Sequence, residues 1–380
     1  MTQVDQAHRW PCPSCGSDLR YAPGTAQLVC DHCAATQAIS PPKARDRDIA
    51  LAEIDLARGL NDDLPAQAVE DVRSSSCPNC GAVVEFSGAN HAAQCPYCAT
   101  PVVVDTGAHR HIKPHTLLPF VLTETDARSA LTKWLGSLWF APNGLLEYSR
   151  KGRAMTGLYV PFWTFDADTT TRYTGQRGEH YYESRTVTVN VNGRSERRTE
   201  QVQRTRWYPA AGTVSRGFDE VITLASRSLP PRLGNELTPW DLTQLLPYNP
   251  DYLAGFQAEG YTIPLADGHG QARSQMDNVI VMDVRRDIGG DVQQITTLNT
   301  RYSNETFKHI LLPIWTAAYK YNGRSFQFLV NGQTGEVQGQ RPYSAWKIGF
   351  AVLFVAVVVI GAIYLNDPSS LGLPRPDWMD

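Results

Sequence analysis

Three quarters of this chain contains no cysteine. All eight lie before residue 99 of 380, whereas a secreted disulfide scaffold spreads its cysteines through the fold. A signal peptide is also missing. The first eight residues, MTQVDQAH, hold neither a basic stretch nor an apolar core, so synthesis starts in the cytosol and the N-terminal part is expected to stay there. No GxxxxGK[ST] loop occurs, which argues against a P-loop motor. HExxH, GxSxG and kinase signatures are absent too, and the chain is expected not to be an enzyme. Excess basic charge is lacking: the net charge is -3 and the pI about 6.3, so no global electrostatic case for nucleic acid arises. With 42% hydrophobic and 19% charged residues the composition is that of a globular protein.

What is present is concentrated at the start. Cys12, Cys15, Cys30 and Cys33 form CPSC and CDHC; Cys77, Cys80, Cys95 and Cys98 form CPNC and CPYC. The second set repeats the first 65 positions later, with the same spacing between pairs. A CxxC turn sets two thiolates on one side of a tight loop, and two such loops close a tetrahedron around zinc at about 2.3 Å. Gly16 and Gly81 follow the first pair of each set, where the backbone often needs positive φ. Both quartets are therefore predicted zinc ribbons (residues 1–40 and 77–105), each holding one structural Zn2+. Four thiolates leave no open position for catalysis. Redox dithiols of the thioredoxin type are the competing reading, but these sit singly in a βαβ context. His8, His32 and His91 could replace a ligand in principle and are read as surface residues. Residues 74–105 contain no lysine or arginine, so the ribbons read as protein-contact modules. Stacking on single strands stays open as an alternative.

Between the ribbons, residues 41–76 are read as a helical linker, with one helix over 47–60 (RDIALAEIDLARGL). Residues 106–343 are read as one α+β domain with antiparallel hairpins. Thr123-Glu124-Thr125-Asp126 is a capping box that starts a helix running to Trp139. Thr238-Pro239-Trp240-Asp241 is a second helix start. Val187, Val189 and Val191 alternate into Asn192-Gly193, a hairpin signal, and the return strand carries Arg194, Arg197, Arg198, Arg204 and Arg206. That strand could touch acidic lipid or nucleic acid, or simply guard a sheet edge with charge. A second hairpin is expected at Asn322-Gly323 and a further turn over 331–335. Val160-Pro161-Phe162-Trp163-Thr164 is echoed by Leu312-Pro313-Ile314-Trp315-Thr316, which suggests two related β units on one core. His109, His111 and His115 make the best catalytic trio available and are read as plain surface residues. Asp166 and Asp168 look like an acidic pair without metal-ligand company.

Residues 348–365 (IGFAVLFVAVVVIGAIYL) carry no charge and at 1.5 Å per residue come to about 27 Å, close to the ~30 Å hydrocarbon core. A transmembrane helix over 344–366 is predicted, followed by a short tail at 367–380. Lys320, Arg324, Arg341 and Lys347 precede it and only Arg375 follows. The expectation is a single-pass, tail-anchored inner-membrane protein with a cytoplasmic N-terminus. The expected fold is thus multidomain: two small β zinc ribbons, the α+β domain and one C-terminal transmembrane helix.

The duplicated ribbons, together with LLPFVLTETDARSALTKWL, GLYVPFWTFDADTTTRYTG, PWDLTQLLPYNPDYLAGFQAEGY and HILLPIWTAAYKYNGRSFQFLVNGQTGEVQGQRPYSAWKIG, resemble bacterial membrane proteins with two TFIIB-type zinc ribbons. Such proteins are often labelled as relatives of the primosomal replication-restart helicase. The resemblance implies company with flotillin-like (SPFH) and phage-shock-like proteins, and a role in envelope stress. It carries over no catalytic residue, only the eight cysteines as ligands and the single membrane helix. Two functions follow as expectations. One is a non-enzymatic, membrane-anchored adaptor that recruits cytoplasmic and membrane proteins to the bilayer. The other is a membrane-tethered nucleic-acid-binding protein.

Overall fold

A computed structural model describes the backbone of residues 10–65, 68–76, 83–85, 92–94, 101–103, 108–138, 155–191, 194–321, 324–340 and 345–366. The chain is mostly β. Its centre is a nine-stranded, largely antiparallel sheet. Two very long neighbours, β11 (Thr156–Val191) and β12 (Arg194–Leu224), pair along nearly their whole length. On the other side of β11 lies β15 (Val292–Tyr321), followed by β10 (Thr116–Leu117) and β13 (Leu246–Pro247). β14 (Gln257–Ala258), β16 (Arg324–Asn331), β17 (Val337–Gly339) and β4 (Ile54–Asp55) join at the margins.

The sequence of β11 shows why one strand can be so long. Residues 157–167 are almost all apolar and are buried on both faces, as expected for a strand covered on two sides. From Asp168 to Thr174 exposed and buried residues alternate, the pattern of a strand covered on one side. Beyond Gly178 the strand has lost β15, and most residues from Glu179 to Thr188 are exposed.

Two helices and their flanking loops provide the covers. Leu158, Val160 and Phe162 pack with Leu229, Leu233, Leu237 and Leu242 on one face; Leu233 belongs to the short helix α4 (Pro231–Asn235). On the other face, Trp163, Phe165 and Ala167 meet Leu265, Ala272 and Met276 of α5 (Leu265–Ile288). Farther along α5, Ile280, Val284 and Ile288 cover Tyr173. These apolar residues recur every four positions, one stripe of a helix. Gly268 is required where α5 crosses β11, because a Cβ there would lie 2.6 Å from the Trp163 ring. α3 (Glu124–Ser137) starts at the Thr123 capping box, in which Thr123 and Asp126 bond each other's backbone amides.

The first cysteine unit is a three-stranded sheet of β1 (Leu19–Tyr21), β2 (Gln27–Cys30) and β3 (Thr36–Ala38). Its interior is continuous with that of the large sheet. Leu19, Tyr21, Leu28 and Ile39 share one buried cluster with Phe120, Tyr159, Tyr252 and Trp315. The Tyr21 ring meets Tyr252 edge-on at 5.1 Å, and its hydroxyl donates to Phe120 O at 3.1 Å. The Tyr21 amide donates to Ala254 O, and the Gly24 amide to Phe120 O, each at 2.9 Å. In the second cysteine region only backbone strands are described: β5 (Val69–Ser76), β6 (Val83–Glu85), β7 (Ala92–Gln94), β8 (Pro101–Val103) and β9 (Ala108–Ile112).

Several expectations need correction. The transmembrane helix is the largest. A helix, α6, does form over Ala345–Asn366, but among the described residues no helix is long and apolar enough to cross a membrane. The single-pass, tail-anchored inner-membrane placement is withdrawn with it. The α+β expectation for 106–343 gives way to a mostly β architecture, because the hairpin strands extend far past the segments that alternate.

The single linker helix over 47–60 is instead α1 (Ala44–Leu51), β4 and α2 (Leu56–Leu60). Ile54 and Asp55 pair with Phe307 and Thr306, and the Asp55 side chain caps α2 through the Arg58 amide. Sheet pairing here overrides helical propensity. The second helix start is a 3₁₀ turn, Leu242–Gln244, capped by Asp241. The turn residues 192–193 and 322–323 lie outside the described residues. The echoed segments are sheet neighbours, with Val160 paired to Leu312 and Pro161 to Leu311.

Candidate metal centre

Cys12, Cys15, Cys30 and Cys33 converge. Their four sulfurs all lie within 4.8 Å of one another. Cys12 Sγ is 3.5 Å from Cys33 Sγ, and Cys15 Sγ is 3.5 Å from Cys30 Sγ. These contacts cross between the two CxxC turns. They are far longer than the ~2.05 Å of a disulfide, and all four cysteines are free. Cys12 and Cys30 are buried while Cys15 and Cys33 face outward.

The two turns are built alike. Gly16 donates its amide to Cys12 O and Ala34 donates to Cys30 O, each at 2.9 Å. Gly16 has φ +75 and Ala34 has φ +58. Both therefore occupy the left-handed region, and the second turn uses a residue that pays for its Cβ there. The Ser17 amide, foremost, holds the Cys15 thiol down to about 6. Burial works against ionisation at Cys12, but the Ser14 and Cys15 amides outweigh it and its pKa falls below the ordinary value. A quartet of sulfurs at mutual contact, two of them favoured as thiolates by backbone amides, could hold a metal ion. Arg20 and Asp31 form an exposed ion pair at 2.7 Å on the same three-stranded unit. His32 is exposed next to the second turn.

Cys77, Cys80, Cys95 and Cys98 lie outside the described residues, as do His8 and His91. Of the histidine trio, the side chains of His109 and His111 are likewise outside them. His115 is partly buried, and that burial, helped by Lys113, depresses its pKa.

Asp166 does have company, contrary to expectation. Glu53 and Asp219 bring carboxylate oxygens within 4.8 Å of it. Glu220 and Asn304, on the two strands flanking β11, have φ +54 and φ +53, and the pairing register shifts beside Asp166 on both sides. These bulges turn the Glu220 amide onto Asp166. Glu53 arrives from the linker, 113 positions away, and bonds Thr306 at 2.8 Å. Buried Lys308 supplies the cation, 3.6 Å from Glu53 and 3.4 Å from Glu220. Burial, together with Glu53, raises Asp166 to about 6. Asp168 is tied separately to Asn304 at 2.8 Å.

The arginine-rich strand is only partly balanced across the ladder, since Arg197 and Arg198 stand opposite Thr188 and Val187. Arg206 stands opposite Glu179, and Arg185 opposite Glu200. Arg204 reaches Glu183 at 3.6 Å, and Arg206 also lies over the Tyr181 ring at 5.1 Å.

No protein-family model matches the chain. No solved structure matches it either. It is similar to the uncharacterized protein YdjG of Bacillus subtilis strain 168, with 25% identity over 346 residues, covering 89% of this chain and 91% of that one. The likeness is therefore one of whole chains rather than of a shared ribbon.

Proposed function

We propose that the chain is a non-enzymatic zinc-ribbon adaptor in which two structural zinc ions, one per cysteine quartet, shape surfaces for protein partners. The observation that carries this reading is the first quartet. A zinc–sulfur distance of about 2.3 Å implies sulfur–sulfur edges of about 3.8 Å in a tetrahedron, and the two cross-turn contacts are 3.5 Å. Four thiolates close the coordination shell, so the ion serves the fold. Metal binding of this kind contributes on the order of 10 kcal/mol at neutral pH. The identical spacing of the second set extends the reading to Cys77, Cys80, Cys95 and Cys98. The resemblance to two-ribbon bacterial proteins agrees with it, and so does the lack of lysine and arginine in residues 74–105, since a phosphate-binding surface needs basic residues in excess.

An adaptor must hold two partners at once. Sequential affinity capture, first on this chain and then on one recovered partner, should return a third protein. Its recovery should fall when Cys12 and Cys30 are changed to serine and the first zinc is lost. Recovery that a nuclease abolishes would overturn the adaptor reading in favour of nucleic-acid binding.

A further inference from the structure

The α4-side face of the large sheet turns polar at one end. On β11 the row Leu158, Val160, Phe162 continues into Thr164 and Asp166. Residues paired across strands share a face, so Lys308, opposite Thr164, and Thr306, opposite Asp166, stand on the same side. Three segments meet there. The linker brings Glu53 from just before β4, β11 supplies Asp166, and the bulged part of β12 brings Asp219 and Glu220. The charges do not balance. Against these four carboxylates, Lys308 is the cation, 3.6 Å from Glu53 and 3.4 Å from Glu220. Among the described residues no lysine or arginine forms an ion pair with Asp166 or Asp219. The Thr306 hydroxyl lies 2.8 Å from Glu53 Oε2 and 3.3 Å from Asp166 Oδ2, yet it has one proton to donate between them. A second observation is independent of charge. Thr164 is wholly buried, and its Oγ1 has no hydrogen-bond partner. It stands on the face of the carboxylates, beside Lys308 and two residues before Asp166. Buried polar groups are nearly always satisfied, so this hydroxyl points to an occupant with oxygen chemistry.

We propose that Glu53, Asp166 and Asp219 bind one Ca2+ ion, with the Thr164 hydroxyl bonded to a water in its shell. One oxygen from each carboxylate lies within 4.8 Å of the other two. Ligands on opposite sides of Ca2+, at about 2.3–2.6 Å each, stand up to about 5 Å apart, whereas Mg2+ demands near-ideal octahedral geometry at about 2.0–2.1 Å. Carboxylates arriving from three separate segments suit the larger and more tolerant ion. Lys308 stays with Glu220, the carboxylate outside the ligand set. The ion ties the linker between the two cysteine sets to β11 and β12. The site uses none of the eight cysteines, so its failure would leave the zinc content and the two-partner capture unchanged.

The test is calorimetric titration of CaCl2 into the zinc-loaded full chain, with MgCl2 titrated separately. One Ca2+ should bind per chain, more tightly than Mg2+. Asp219→Asn, at an exposed position, should weaken binding at least tenfold and leave zinc content and calcium-free thermal unfolding unchanged. Thr164→Val, which keeps the shape and removes the hydroxyl, should weaken it several-fold. Amide hydrogen exchange at Ile54 and Asp55 should slow when CaCl2 is added to the parent and not when it is added to Asp219→Asn. Absence of binding at millimolar CaCl2 would end the proposal. Equal affinity in Asp219→Asn would mean an adventitious ion only. Tighter binding of Mg2+ would overturn the assignment to calcium, and unchanged affinity in Thr164→Val would overturn the part given to its hydroxyl.

Discussion

At the scale of single residues, the two CxxC turns differ by one methyl group that sits in the wrong region of backbone space. Gly16 takes its positive φ freely, whereas Ala34 holds φ +58, a conformation that costs an L-residue about 1 kcal/mol or more. Ala34→Gly should therefore stabilise the first ribbon by about 1 kcal/mol and slow metal release to a chelator; unchanged or faster release would show that the turn is not strained. Asp166 gives a pH prediction. Its carboxyl titrates at about 6 in the folded chain and near 3.9 unfolded, so the folded state holds the proton more tightly. The stabilisation from that proton is complete below pH 4 and is lost as pH rises through about 6. It amounts to at most about 3 kcal/mol. Asp166→Asn should flatten this fall, so denaturant midpoints of variant and parent should diverge between pH 4 and 7; parallel curves would contradict the assignment. The cysteine quartet was legible in the sequence because its ligands come from two short local turns. The Glu53–Asp166–Asp219 cluster was not, because a two-residue strand and paired bulges bring it together.

At the scale of elements, α5 is the clearest example of a signal that was present but masked. Ala272, Met276, Ile280, Val284 and Ile288 mark its buried stripe, while Gly268 and Gly270 near its start weaken the local helical propensity. The two glycines have different causes. Gly268 makes room for Trp163, while a Cβ at Gly270 would meet nothing within 4 Å. Gly268→Ala should cost about 1–3 kcal/mol through overpacking. Gly270→Ala should gain up to about 1 kcal/mol from helix propensity. Thermal unfolding of the two variants checks this, and shifts of the same sign would contradict the packing account. The strands show the opposite difficulty. The hairpin signal at Asn192-Gly193 marks where the chain reverses, but nothing local says that pairing continues back to Phe162 and Leu224. That length depends on which faces α4 and α5 cover. The apolar run at 348–365 misled for a related reason, since hydropathy alone reads as a membrane span.

At the scale of the whole molecule, the first ribbon is joined to the large sheet by a shared interior. Tyr21, Phe120 and Trp315 belong to one buried cluster, and the Trp10 indole donates to Asp251 at 2.9 Å. Loss of the metal should therefore be felt outside the ribbon. Chelation should raise amide hydrogen exchange not only in β1 and β2 but also around Phe120 and Ala254; protection that falls in the ribbon alone would contradict the shared core. The most direct test of the account concerns the first quartet itself. Cys77, Cys80, Cys95 and Cys98 are replaced by serine in the full chain, and X-ray absorption is recorded at the zinc edge on reduced, zinc-loaded protein. The account predicts one zinc per chain with four sulfur neighbours at about 2.3 Å and no nitrogen or oxygen. A light-atom ligand in the first shell, or protein that retains no zinc, would contradict it.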